Sequence, residues 1–133
     1  MIDITEKTID AAAVLDSVRS PGAGAVVLFL GTVRQDGDRP STAAIEYECY
    51  AEMARKKLAE LEAEALRRWP LSGCAIVHRV GRLAVGEVCV AVAVAAPHRR
   101  EAFEAGEWLI DRIKEVVPIW KQEHLTDGTS RWI

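Results

Sequence analysis

The chain has 133 residues, 20 acidic and 17 basic, for a formal net charge of −3. Half the residues are apolar and 28% are charged, enough for one domain-sized core, so a wholly disordered chain and the basic footprint of a general nucleic-acid binder are both excluded. The longest apolar stretches, 23–31 and 88–97, fall short of the ~20 residues that span a bilayer, and the amino-terminal MIDITEKTID is polar from its third residue, so neither a membrane span nor a signal peptide is expected.

Residues 1–5 alternate apolar and polar like a short strand. Ile9, Ala12, Ala13 and Val18 then recur at helical spacing until Pro21 and Gly22 stop the helix. Residues 25–33 form a continuous apolar run rich in β-branched side chains, as in a strand buried on both faces. The following RQDGDRPS, 34–41, is loop chemistry. A strand resumes over 42–49, with Ile45 and Tyr47 on one face and Glu46 and Glu48 on the other.

Residues 51–69 read as a helix, because Met53, Leu58, Leu61, Ala65 and Leu66 keep helical spacing up to Pro70. Strands are expected at 74–80 and 88–96; the connection 81–87 is too short for a crossover helix, so the pair is antiparallel. A second long helix runs from Pro97-His98 to about Val117, and Pro118 closes it. A short strand over 119–123, a turn at Asp127-Gly128 and a closing strand over 131–133 complete the pattern. It reads as one α+β domain spanning 1–133, with an antiparallel sheet and two long helices.

Cys49, Cys74 and Cys89 are odd in number, lack CxxC spacing and sit in strand-like runs, which points to buried reduced thiols rather than a disulfide framework or a zinc site. No HExxH, nucleophile elbow, P-loop or GxGxxG occurs, and neither metal nor cofactor is expected. His78 reads as a satisfied, half-exposed strand histidine and His124 as a surface residue. Trp69, Trp108, Trp120 and Trp132 read as core or interface aromatics.

The polar residues that stand out are cations beside glycine or proline. Arg34 emerges at a strand end after Gly31-Thr32, a common place for sites, although alone it reads as an ordinary surface arginine. His98-Arg99 opens a helix, where cations are unfavourable unless an anion joins them or Glu101 and Glu104 compensate. Lys114 borders the apolar stripe of its helix, and Lys121 follows the Pro118-Ile119-Trp120 corner. Singly, each lysine reads as a snorkelling surface residue; together they could converge on one cleft and serve proton transfer or nucleophilic chemistry.

Several segments in order carry a family pattern: Gly31-Thr32-Val33-Arg34, the Tyr47-to-Met53 run YECYAEM, Arg68-Trp69-Pro70-Leu71, His78-Arg79-Val80-Gly81 with Gly86-Glu87, His98-Arg99 before Ala102-Phe103-Glu104-Ala105-Gly106, and Pro118-Ile119-Trp120-Lys121-Gln122-Glu123. From about Gly22 to Trp132 the chain resembles the large, catalytic subunit of molybdopterin synthase. The resemblance implies an α/β-hammerhead fold and a homodimer with a small ubiquitin-like sulfur-carrier subunit at each end, a heterotetramer. It implies a cytoplasmic sulfurtransferase that moves sulfur from the Gly-Gly thiocarboxylate tail of that subunit to cyclic pyranopterin monophosphate, making the dithiolene of molybdopterin.

By position, the resemblance implies substrate contacts at Thr32, Val33, Arg34, His98, Arg99, Lys114, Lys121, Gln122 and Glu123, with Lys114 and Lys121 catalytic and His98 and Arg99 arriving from the neighbouring protomer. Gln122 departs from the pattern, standing where a second basic residue is common, and the chain stops at Ile133 without the polar tail of many relatives. Two other readings use the same residues: a non-catalytic homodimeric module that docks a ubiquitin-like tail, and a Schiff-base lysine enzyme acting on a phosphorylated carbonyl compound.

Overall fold

The computed structural model describes residues 1–37 and 40–133; the other two residues of the loop expected at 34–41 lie outside the described residues. In chain order the described elements are β1 (Ile2–Thr5), α1 (Ala11–Val18), β2 (Ala25–Thr32), β3 (Thr42–Cys49), α2 (Ala51–Arg68), β4 (Gly73–Arg79), β5 (Gly81–Ala84), β6 (Val88–Ala96), α3 (Arg99–Val116), β7 (Ile119–Leu125) and β8 (Ser130–Trp132). They form the expected α+β architecture, with the strands divided between two sheets. One has the order β1-β4-β6-β2, the other β5-β3-β7-β8. All neighbouring strands are antiparallel except β1 and β4, which run parallel.

The first sheet is covered on both faces at its centre, whereas β2, expected to be buried on both faces, is an edge strand with Phe29 and Leu30 exposed; β6 shows how the centre is covered. Its alternating valines Val90, Val92 and Val94 face the larger core with Leu58, Leu61, Leu109 and Ile113, while Ala91, Ala93 and Ala95 face Val14 and Val18 of α1. Side chains of one carbon let α1 lie close to the strand. Asp10 caps α1 by accepting a hydrogen bond from the Ala13 N–H (3.1 Å), so the helix begins after Ile9, which packs into the core from outside it. On the opposite side α3 approaches β2 and β6 at Gly106, where a Cβ would meet Val27 at 3.6 Å and Val94 at 3.8 Å. Leu58, Ile76, Leu83 and Leu109 are fully buried, each contributing about 1.5–3 kcal/mol of transfer free energy.

The connection 81–87, too short for a crossover helix, contains β5. Gly81 adopts φ +95°, a conformation that favours glycine, and there the chain leaves β4 of the first sheet to pair with β3 of the second. With four residues and a single buried side chain, Leu83, β5 has too little alternation to be read in advance. Among the described residues, no helix is long and apolar enough to cross a membrane.

Candidate active site

The two sheets meet over a cleft of about 510 Å³. Phe29 and Gly31 of β2, His78 of β4 and Cys89 of β6 line one side; Ile110, Ile113 and Lys114 of α3 line another. The third wall is the inner face of the second sheet, and its composition follows from the pleat. In the β3–β7 register Ile45 opposes Glu123 and Tyr47 opposes Lys121, so these four share a face, and all four line the cleft. Glu123 opposes Arg131 on β8, which brings that arginine to the same face. Arg34 and Asp36 border the cleft from the loop after β2.

The buried polar groups of this wall are well satisfied. Glu123, 5% exposed, accepts hydrogen bonds from the Thr42 hydroxyl and from Arg131 Nε at 2.7 Å. The Thr42 bond first, then the Arg131 bond and charge, hold its carboxyl below the usual range against opposition from burial and Asp36. Tyr47 is buried and hydrogen-bonded to Cys89; burial foremost pushes the phenol upward. The Cys89 thiol donates to the Gly31 carbonyl at 3.3 Å.

His78 corrects the half-exposed expectation: it is 6% exposed and lines the cleft. Its ring meets the edge of Tyr47 at a 5.5 Å centroid separation. Burial pushes the imidazole below the ordinary histidine value and the Lys121 charge adds to this, with the Arg79 carbonyl opposing. A neutral ring therefore donates from Nδ1 to that carbonyl, 2.8 Å away.

Of the residues singled out from sequence, Thr32, Arg34, Lys114, Lys121 and Glu123 come together around the cleft. Lys114 is exposed, less sheltered than its place beside Ile110 and Ile113 suggested. Val33 is buried at 2% and acts in the scaffold, its N–H donating to the Glu87 carbonyl and its carbonyl accepting from the Gly86 N–H. Gln122 opposes Glu46 and by the pleat points to the outer face of the sheet. His98 and Arg99 lie beyond the other end of β2, since Ala25 pairs with Ala96; seven residue steps of strand separate that end from Thr32, about 23 Å. Tyr47, His78, Cys89 and Arg131 were missed as site residues. Alternation shows which face each occupies within its own strand but not that the two faces converge.

All three cysteines are free. Cys74 and Cys89 are buried and Cys49 is partly so; burial pushes the Cys74 thiol up to about 12, with Glu62 adding to the rise. Trp69 and Trp108 pack edge to face under Arg68, whereas Trp120 and Trp132 are exposed.

Arg34, Lys114, Lys121 and Arg131 surround a partly apolar cleft that also holds Asp36 and Glu123, so cations outnumber carboxylates there and the arrangement can attract a small anion. The comparisons with known proteins specify the class further. The family model described as MoaE protein matches residues 4–116. The molybdopterin synthase catalytic subunit of Halalkalibacterium halodurans is 46% identical over 130 residues, covering 98% of this chain and 83% of that protein. The crystal structure of molybdopterin synthase from Staphylococcus aureus superposes with a TM-score of 0.92 at 41% identity, over 98% of this chain and 94% of that one. A chain from the Helicobacter pylori complex of subunits 1 and 2 of molybdopterin-converting factor shares the fold, with a TM-score of 0.81 at 18% identity over 98% and 88% of the two chains. The chain belongs to the MoaE protein family.

Proposed function

We infer that this chain is the catalytic subunit of a molybdopterin synthase, a cytoplasmic sulfurtransferase of molybdenum-cofactor biosynthesis acting as a single domain over residues 1–133. Its substrate is cyclic pyranopterin monophosphate, and its sulfur comes from the C-terminal thiocarboxylate of a small ubiquitin-like subunit. The observation that carries the reading is the convergence of Arg34, Lys114 and Lys121 on one cleft with apolar walls. The cyclic phosphate is anionic, and the planar guanidinium of Arg34 suits its oxygens. Lys114 and Lys121 meet the thiocarboxylate and move protons as its sulfur attacks the pterin to form an acyl thioester; they then stabilise the oxyanion that forms when water adds to that thioester, and its collapse breaks the acyl carbon–sulfur bond, leaving sulfur on the pterin and a carboxylate on the tail. Glu123 holds Arg131 in place on the same wall.

The working form is a homodimer with a small subunit at each end. Strand β2 is a free edge of its sheet, with Phe29 and Leu30 exposed at 36% and 37%. Antiparallel pairing of β2 with its copy sets the start of one strand beside the end of the other. His98 and Arg99 of a second copy then reach the mouth of the cleft that their own chain leaves about 23 Å away.

The test mixes the protein with thiocarboxylated small subunit and cyclic pterin and follows the dithiolene product by mass spectrometry. Product is expected from the parent, and Lys114→Ala and Lys121→Ala should each nearly abolish it while the complex still forms. No product from the parent refutes the reading; borohydride trapping of substrate on the protein would point instead to a Schiff-base lysine enzyme.

A further inference from the structure

The outer face of the second sheet carries a feature that sulfur transfer leaves unused. Glu48, Cys49, Tyr50, Trp120 and Trp132 surround a hollow of about 430 Å³. The Tyr50 and Trp120 rings stand nearly perpendicular, at 86° and 5.6 Å between centroids, forming two adjoining walls. Tyr50, Trp120 and Trp132 are exposed at 72%, 47% and 60%, an aromatic cluster that water covers poorly. Glu48 opposes Trp120 in the register and has no ion-pair partner among the described residues. Its neighbour on that face, Glu46, is already engaged by His124 Nε2 at 3.3 Å.

Aromatic faces attract cations through their ring quadrupoles, and an unpaired carboxylate at the rim adds a full charge. The hollow is therefore complementary to a guanidinium or an ammonium. Its position suggests what carries that group. Strand β8 is one of the two edge strands of the sheet, opposite β5; it turns Arg131 into the cleft, followed there by Ile133, and lines the hollow with Trp132. A protein that feeds its tail into the cleft across this edge meets the hollow on the far side.

We propose that Tyr50, Trp120, Trp132 and Glu48 form a box that receives an arginine or lysine side chain of the small ubiquitin-like subunit and so anchors it while its tail occupies the cleft. The proposal rests on the sulfur-transfer reading. It is tested by calorimetric titration of the full-length protein with the small subunit in its carboxylate form, at low and at high salt. Glu48→Lys should weaken binding at least tenfold and Glu48→Gln several-fold, with both losses shrinking at high salt. Trp120→Leu should weaken binding more than Trp120→Phe, because phenylalanine keeps a ring face. Alanine replacement of the subunit's basic residues, one at a time, should find one whose effect vanishes in the Glu48→Gln background.

Binding of every variant within twofold of the parent overturns the box and leaves the sulfur-transfer reading intact. Loss with Trp120→Leu but none with Glu48→Lys shows an apolar contact and overturns the cation assignment. Failure of the parent to bind the subunit overturns both readings.

Discussion

Glu123→Gln isolates the charge on the polar wall of the cleft. In the parent, the carboxylate takes one hydrogen bond from the Thr42 hydroxyl and one from Arg131 Nε. Glutamine keeps an oxygen for Thr42, but its amide then faces the guanidinium donor to donor. A hydrogen bond to a charged group is worth about 1.5–3 kcal/mol, and Arg131, whose side chain is 59% exposed, recovers part of this from water. The expected loss at neutral pH is thus about 1–2 kcal/mol of unfolding free energy. The folded carboxyl titrates below its ordinary value, so its contribution is fully present above the unfolded carboxylate pKa, about 4.3, and is lost as pH falls through the lower folded value. Urea unfolding of parent and variant at neutral pH and near the acid limit of folding reads this directly: the gap should close on acidification. An equal gap at both pH values, or none at neutral pH, would refute the assignment of the stabilisation to the ionised carboxylate.

Arg34→Ala should weaken binding of the cyclic pterin by about 1.5–3 kcal/mol, one charged contact, measured by calorimetry; unchanged affinity removes Arg34 from the phosphate site. Gly31→Ala places a Cβ 2.6 Å from Val90 Cγ1 on the cleft wall, so a thermal scan should show a loss of about 1–3 kcal/mol from overpacking. His78→Gln tests the buried neutral ring. Because the folded pKa is lowered, the parent should lose stability as pH falls from the ordinary histidine value, about 6.5, through the folded one, and the variant should lack this part of the slope in denaturant unfolding at a series of pH values.

Much of the fold was legible in the sequence because local rules suffice for it. Helical spacing between prolines fixed α2 and α3, apolar runs fixed β2 and β6, and the short connection after β4 made β4 and β6 antiparallel. Strand β5 escaped because four residues with one inward side chain carry no period, and its pairing with β3 depends on contacts some forty positions apart.

The candidate site divides in the same way. The sequence by itself determined that Arg34, Lys114 and Lys121 sit at a strand end, a helix margin and a rigid corner, and alternation already placed Tyr47 beside Ile45. Only the tertiary structure decided that these positions share one cleft, that Lys121 and Glu123 face it while Gln122 between them faces away, and that His98 and Arg99 stand at the far end of β2. The physical reason is that periodicity reports which side of its own element a residue occupies, whereas a cleft exists where faces of different elements meet, and that meeting is set by long-range strand register.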